Sequence, residues 1–366
     1  MNKLKIAIIS FLHHSISEPF KGGTESFTHS LAKALITRGH EVVVFSAKGT
    51  DKEINPYIMG DPEQDFNKDN AYKKIMTDIL PNSDFDIVHN NALSGIPIEL
   101  SNMIPMPMIT TLHSPYFATY DYAFNRIDNK NNTFVTVSNS IQKLWSPALA
   151  NRVIPNGVNL EKFKPLLDEK KENYAIWFGR ITPEKGTIYA IRAANKAGIP
   201  LKIAGRIYDT EYFENRIKPL IKKNIEYIGP LSHLELCKVI AKAKASIFIP
   251  EPNESYGLVV AESLACGTPV AAFNLGPVCE IIDEKSGALA QPRQKGIFGG
   301  LKAIKNLSNA LLKATKLNSQ DCRKRAQQVA DINIMIDKYE KLYYEVIASR
   351  NMGKKHRISE LDTRII

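Results

Sequence analysis

Two carboxylates eight residues apart, Glu254 and Glu262, stand in a stretch that is otherwise largely apolar, Ser246 to Phe273. Ser246 to Ile249 is a short β-branched run, the pattern of a buried strand. Pro250 and Pro252 forbid its continuation. Asn253, Glu254 and Ser255 are helix-entry residues. Gly257 to Ala265 then forms a short apolar helix stopped by Gly267, and Val270 to Phe273 is the next strand. In strand–helix–strand units of this kind, ligands bind beyond the carboxyl ends of the strands. Free N–H groups around Gly257, Leu258 and Val259 make an anion site there, and Gly257 lets a ligand come close to the backbone. Glu262 interrupts the apolar helix, where an ionised carboxylate is costly unless something pairs with it. Hydroxyls of a ribose or sugar would do so. Without a ligand, Glu254 is a helix-entrance acid favoured by the dipole and Glu262 lies on a wet face.

A second set lies in Gly179-Arg180-Ile-Thr-Pro-Glu-Lys185-Gly186, between a strand at Ala175 to Phe178 and a helix running to Ala197. Arg180 can grip phosphate oxygens bidentately and Lys185 adds a point charge. Alone they are a pair of surface cations. In the first half, Lys21-Gly22-Gly23-Thr24-Glu25 opens a helix, where two glycines let a phosphate or sugar approach the backbone. Thr111-Leu-His113-Ser-Pro115 closes a strand, which puts His113 at the ligand edge of the sheet. His13 and His14 follow the first strand. Asp84-Phe-Asp86 has the D-x-D form of a metal–phosphate site, but it precedes Ile87-Val88-His89, so Asp86 is expected to open a strand.

These segments resemble the retaining glycosyltransferases of family 4 (glycosyl transferase group 1), which have the two-domain GT-B fold. The family typically has Pro-x-x-x-Glu-x-Phe/Tyr-Gly-Leu-Val-x-x-Glu-Ala-Met-Ala-x-Gly-x-Pro-Val. Here Ser263 and Leu264 replace Ala-Met, which leaves both carboxylates in place. The Gly-Gly-x-Glu, Thr-x-His, Pro155-Asn-Gly-Val158 and Gly-Arg-x-x-x-x-Lys-Gly segments occur in the family's order, and the resemblance runs from residue 1 to about 350.

The resemblance implies transfer of a sugar from a nucleoside-diphosphate sugar, with a UDP-hexose expected, to an acceptor hydroxyl, giving an α-linked product. It implies that Arg180, Lys185 and the amides near Leu258 and Val259 take the diphosphate charge. Glu254 would hold sugar hydroxyls, Glu262 the ribose, and His113 would contact the sugar. Gly22 and Gly23 would face the diphosphate, and the loops at Gly205 and Leu231 would meet the base. Tyr256 and Gly257 complete the implied donor-binding set. No metal and no cofactor are implied, and no protein general base, because in the family the donor phosphate helps deprotonate the acceptor. A GDP- or ADP-sugar donor, and a catalytically silent docking module, are the alternatives.

The elements that must position these residues alternate between strand and helix, which implies parallel sheets in an α/β chain. Strands are expected at Leu4 to Ser10, Glu41 to Ala47, Asp86 to His89, Pro107 to His113, Thr133 to Ser138, Ala175 to Phe178, Leu201 to Ala204 and Ile225 to Ile228. Helices are expected near Thr24 to Arg38, Ile141 to Trp145, Ser232 to Lys244, Gly276 to Asp283, Gly300 to Thr315, Gln320 to Ala330 and Ile334 to Ala348. Asp168 to Glu172 is an expected connector and Gly287 the end of a turn. Two Rossmann-like domains follow, facing across a cleft: 1–152 on the acceptor side and 153–335 on the nucleotide-sugar side. A helix at 336–350 returns to the first domain, with Tyr339, Leu342, Tyr343, Val346 and Ile347 on its packed face. Residues 351–366 form a loose tail. Asp51 to Asn70 and Tyr116 to Asn132 carry no motif.

A chain of 366 residues with 44% hydrophobic and 23% charged residues fits a two-domain globular protein. No apolar run approaches the ~20 residues needed to cross a bilayer, and Met1 to Leu12 fits a first buried strand better than a secretory signal. The four cysteines (Cys237, Cys266, Cys279, Cys322) form no C-x-x-C pair and are expected to be reduced thiols in a cytoplasmic protein. The net charge of +10 fits an anionic ligand. Much of it lies in the last seventy residues, including Lys295, Lys302, Lys305, Lys354, Lys355 and Arg357. These are solvated helix faces or, as the second expectation, a peripheral contact with an anionic inner membrane face. No nucleic-acid motif is present. Strand one is not followed by G-x-G-x-x-G and strand two ends in Ser46-Ala47 without a ribose-binding acid, which argues against a nicotinamide-dependent oxidoreductase. The acceptor (lipid, glycan or small metabolite) and the oligomeric state leave no mark in the sequence.

Overall fold

A computed structural model describes residues 2–116, 120, 123, 131–145, 150–166, 170–250, 253–292 and 300–362, those from 352 onward by backbone alone. The chain divides into two compact units. The first comprises Met1–Val137, Gln142–Ile154 and Asn333–Ile366; the second comprises Ser138–Ile141 and Pro155–Ile332.

The first unit is built on seven parallel strands: β1 (Lys5–Ile9), β2 (Glu41–Ala47), β3 (Pro56–Gly60), β4 (Ile87–Asn90), β5 (Met108–Leu112), β6 (Asn132–Thr136) and β7 (Arg152–Val153). Their order is β3-β2-β1-β4-β5-β6-β7. The central strands are apolar runs buried on both faces, as a sheet covered by helices on each side requires. β3 lies inside the motif-free 51–70 segment. Its residues pair in parallel with β2, but Tyr57 and Ile58 stay exposed, so no burial pattern announced it. Most of the 116–132 segment lies outside the described residues.

The C-terminal helix, Ile332–Asp362, belongs to the first unit from Asn333. Tyr339, Leu342 and Tyr343 are buried. The Tyr343 hydroxyl sits 2.6 Å from His89 Nδ1, His89 Nε2 lies 2.7 Å from Thr111 Oγ1, and the Tyr339 hydroxyl lies 3.0 Å from Thr111 Oγ1. Glu340 accepts from His40 Nε2 at 2.8 Å and from the Arg38 guanidinium. The backbone is helical through Asp362, whereas a loose tail was expected from 351. The segment has no proline, and helix propagation adds a hydrogen bond per residue. The Lys354, Lys355 and Arg357 side chains and Lys295 lie outside the described residues.

The second unit has six parallel strands: β8 (Glu172–Phe178), β9 (Leu201–Ala204), β10 (Ile225–Gly229), β11 (Ala243–Phe248), β12 (Val270–Phe273) and β13 (Gly287–Ala290), ordered β10-β9-β8-β11-β12-β13. Its core joins Ala175, Trp177, Ile203, Ile247 and Phe273 to Ile191 and Leu311 of the covering helices. Three boundaries differ from the expectations above. Glu172 opens β8 and does not end a connector. The helix from His233 stops at Lys242, because Ala243 already pairs with β8. Gly287 begins β13 beside Val270 of β12 where a turn was expected to end. A Cβ on Gly287 would strike the Val270 carbonyl of β12 and lie 2.7 Å from the Ile282 side chain, so the glycine serves a close approach to the neighbouring strand. Three cysteines are buried and Cys279 is exposed; all four are free. Among the described residues no helix is long and apolar enough to cross a membrane.

Candidate active site

In the second unit the strand order reverses between β8 and β11, and the crevice beyond the carboxyl ends of such a pair is where ligands of doubly wound sheets bind. The loop after β8 carries Arg180 and Lys185; the loop after β11 carries Glu254. Lys185 Nζ lies 3.7 Å from Glu254 Oε2, with both side chains mostly shielded from solvent. Two segments seventy residues apart in the chain therefore converge on the same point. Gly186 makes this approach possible. A Cβ there would strike the side chain of Ile249, one residue beyond β11.

Arg180 is exposed and its guanidinium stacks 5.5 Å from the centroid of the Tyr208 ring. Its loop is braced by the neighbouring one: Gly179 N donates to Ala204 O at 3.1 Å, and Ile181 bridges Ile207. Gly205 has a φ of +144° and its missing Cβ would collide with the Gly179 carbonyl, so this loop tolerates only glycine. The Tyr227 hydroxyl donates to Gly205 O at 2.9 Å. Leu231 is half-buried one residue before Ser232, which caps the next helix in a reciprocal box with Glu235.

Gly257, with φ of +95°, is the left-handed residue that opens the Leu258–Ala265 helix. Its carbonyl takes the first helical bond, from Val260 N at 2.9 Å. The amides of Leu258 and Val259 precede that bond and point out of the helix end, a ready anion site. One turn further on, burial pushes the Glu262 carboxyl up to about 8, partly offset by His233. Tyr256 is only 4% exposed and its hydroxyl donates to Val329 O at 3.4 Å, so its ring packs against the Ser319–Val329 helix.

The other candidates lie in the first unit. There the order reverses between β1 and β4. Gly22 caps the Gly23–Thr37 helix that follows β1, with the Glu25 carboxylate folded over it. His113, just past β5, is held by two neighbours: Asn91 Oδ1 lies 2.9 Å from Nε2, and Phe27 meets the ring edge-on with centroids 4.6 Å apart. Burial drives the His113 imidazole down to about 3, which keeps it neutral at physiological pH. A proton on Nε2 donates to Asn91 and leaves Nδ1 as an acceptor. His13 stacks on Phe11, centroids 4.4 Å apart, and is shifted down by burial and Lys68. Asp84 and Asp86 are both engaged by Lys5, the first by its ammonium and the second accepting its amide at 2.7 Å.

Asn91 and Tyr208 touch candidate groups and were not singled out from the sequence. The polar run His89-Asn90-Asn91 at the end of an otherwise apolar strand was an available signal for Asn91. Tyr208 had none, since its partner Arg180 lies on a different loop.

Comparison with known proteins matches both halves of the chain. The family of glycosyl transferases group 1 matches residues 158–329, and glycosyltransferase family 4 matches residues 21–162. The chain is 27% identical over 301 residues to an uncharacterised glycosyltransferase of Methanocaldococcus jannaschii, covering 78% of this chain and 84% of that one. Its fold is similar to that of a glycosyltransferase from Rickettsia africae, with a TM-score of 0.75 at 21% identity over 95% of this chain and 99% of that one. It is also similar to Anabaena HepE in complex with UDP and glucose, with a TM-score of 0.71 at 15% identity over 93% of this chain and 100% of that one. With both halves matched in order and the two parallel-sheet units in place, the chain belongs to the GT-B glycosyltransferases of family 4.

Proposed function

We propose that this glycosyltransferase moves a hexose from a UDP-sugar to an acceptor hydroxyl with the anomeric configuration kept, giving an α-linked product. The observation that carries the assignment is the meeting of Lys185 and Glu254, 3.7 Å apart, at the β8/β11 switch point. A cation for a departing diphosphate and a carboxylate for sugar hydroxyls belong in the same crevice, on the two sides of the sugar–phosphate linkage. Arg180, Lys185 and the Leu258 and Val259 amides stabilise the diphosphate as it gains charge. Glu254 holds sugar hydroxyls and Glu262 the ribose hydroxyls. No metal takes part, since two cations and a helix end supply the positive charge. The donor phosphate assists deprotonation of the acceptor, so no side chain acts as general base. The structure of Anabaena HepE with UDP and glucose supports a uridine donor.

Thermal-shift measurements against UDP-, GDP- and ADP-sugars in excess EDTA test the donor. A ligand well above its dissociation constant stabilises by a few kcal/mol. UDP-sugars should raise the melting temperature of the wild type, and Arg180→Ala should abolish the rise. NMR of the product's anomeric proton tests retention. A β-linked product, or a shift with GDP- or ADP-sugars only, rejects the corresponding part of the proposal.

A further inference from the structure

The short Ser138–Ile141 segment is part of the second unit, although the residues on both sides of it belong to the first. One carboxylate supplies much of what holds it there. Glu280 Oε2 accepts from Asn139 N at 3.0 Å and Asn139 Nδ2 at 2.9 Å, while Oε1 accepts from Ser140 N at 2.8 Å and Ser140 Oγ at 2.7 Å. Four donors on one carboxylate leave it little freedom. Glu280 is itself clamped: Arg325 donates to the Glu280 carbonyl at 2.9 Å and to the Ile281 carbonyl at 2.7 Å.

The first residue of the segment reaches the loop that carries Glu254. Ser138 Oγ donates to the Ser255 carbonyl at 2.8 Å and accepts from Ile141 N at 3.1 Å. Ser255 lies between Glu254 and Tyr256, and Tyr256 is tied to Val329 on the helix that carries Arg325. The contacts close into a ring: Arg325, Glu280, the Ser138–Ile141 segment, Ser255, Tyr256, and back to the Ser319–Val329 helix. Glu254 directly precedes Ser255 of this ring, and Gly276 packs beneath its backbone, 3.6 Å from the Glu254 carbonyl to the position of an added Cβ.

We propose that Ser138 and Glu280 are positioning residues that hold the Glu254 loop in register with Lys185. The proposal rests on the assignment of Glu254 to the donor sugar. That assignment makes the effect selective: a displaced Glu254 weakens recognition of the sugar and leaves recognition of the bare nucleoside diphosphate intact.

Calorimetric titration of the full chain with UDP and with UDP-glucose tests this, with the GDP/GDP-mannose and ADP/ADP-glucose pairs run beside them. Loss of one such hydrogen bond should raise the UDP-glucose Kd about threefold to tenfold in Ser138→Ala, with the UDP Kd unchanged. Glu280→Ala should do at least as much, and Ser138→Thr, which keeps the hydroxyl, should restore wild-type affinity. In a Glu254→Ala background, Ser138→Ala should add nothing. Equal loss of UDP and UDP-glucose, unchanged affinity for both, or full additivity with Glu254→Ala overturns the proposal. If the wild type binds none of the three pairs, the donor assignment itself fails; if it binds but Glu254→Ala discriminates no sugar, the sugar role of Glu254 fails and the positioning role with it.

Discussion

The Lys185 ammonium and the Glu254 carboxylate lie 3.7 Å apart although they belong to loops after different strands. Their side chains retain 25% and 16% exposure, and an ion pair at this separation is longer than a hydrogen bond and contributes at most about 1 kcal/mol to stability. The pairing therefore has little structural value, and on the proposed function its worth is in placing a positive and a negative group in one crevice.

Lys185→Ala should accordingly leave the melting temperature almost unchanged and lower kcat by roughly 10²–10³-fold, the usual effect of removing one donor to a developing anion. Steady-state kinetics beside a thermal melt separate the two. A large loss of stability with intact turnover would show that the pair is structural.

Glu262 gives a pH-dependent prediction. Burial raises its carboxyl to about 8, so at neutral pH the free protein holds it largely protonated. Ribose hydroxyls donate best to the ionised form, so binding a nucleotide should lower this value and release a proton. Affinity should then rise as pH increases through 7 and level off above 8. Titration calorimetry in two buffers of different ionisation enthalpy counts the protons. Glu262→Gln should abolish the release.

His89 and His113 are both driven down to about 3 by burial, from an ordinary value near 6.5. Between those values the unfolded chain binds protons that the folded chain does not, so folding stability falls as pH falls. Their contribution is complete above pH ~6.5 and is lost progressively toward pH ~3. Urea melts at pH 7 and pH 5 should show the decline, and His89→Gln should flatten it.

Glu340 on the C-terminal helix pairs with His40 and Arg38, and it is only 7% exposed. Glu340→Ala leaves the buried His40 Nε2 without its partner, while Arg38 keeps Asp337, and should cost about 2 kcal/mol, within the range for an unsatisfied buried polar group. Chemical denaturation measures it. Nucleotide binding in the folded variant should persist, since this network lies in the first unit and Arg180, Lys185, Glu254 and Glu262 lie in the second.

Gly205→Ala should be damaging out of proportion to one methyl group. The added Cβ meets the backbone carbonyl of Gly179 at a φ of +144°, a combination that costs of order 1–3 kcal/mol. The loop that yields carries Arg180, so weakened diphosphate affinity should accompany the lower melting temperature.

Much of this site was legible in the amino-acid sequence because its parts are local. Arg180 and Lys185 share one loop, Glu254 and Glu262 flank one helix entrance, and Gly257 announces its own left-handed conformation. Apolar runs such as Lys5–Ile9 and Val270–Phe273 mark buried strands because a parallel sheet covers both faces. β3 stayed hidden because its Tyr57 and Ile58 are exposed at a sheet edge, and β13 because Gly287 looks like a turn residue when its partner strand is unknown.

The sequence by itself determined the family, the alternation of strand and helix, and which residue types stand at the strand ends, since each depends on neighbours a few positions apart. Only the tertiary structure decided that β8 lies beside β11, that Lys185 meets Glu254, and that Asn91 holds His113. It alone revealed the Glu280 clamp on Ser138 to Ser140, formed between residues more than 130 positions apart. Burial sets the protonation of Glu262 and His113, and burial is a property of what the whole chain packs around a group. Contacts of that length are set by strand order and packing, which no local pattern encodes.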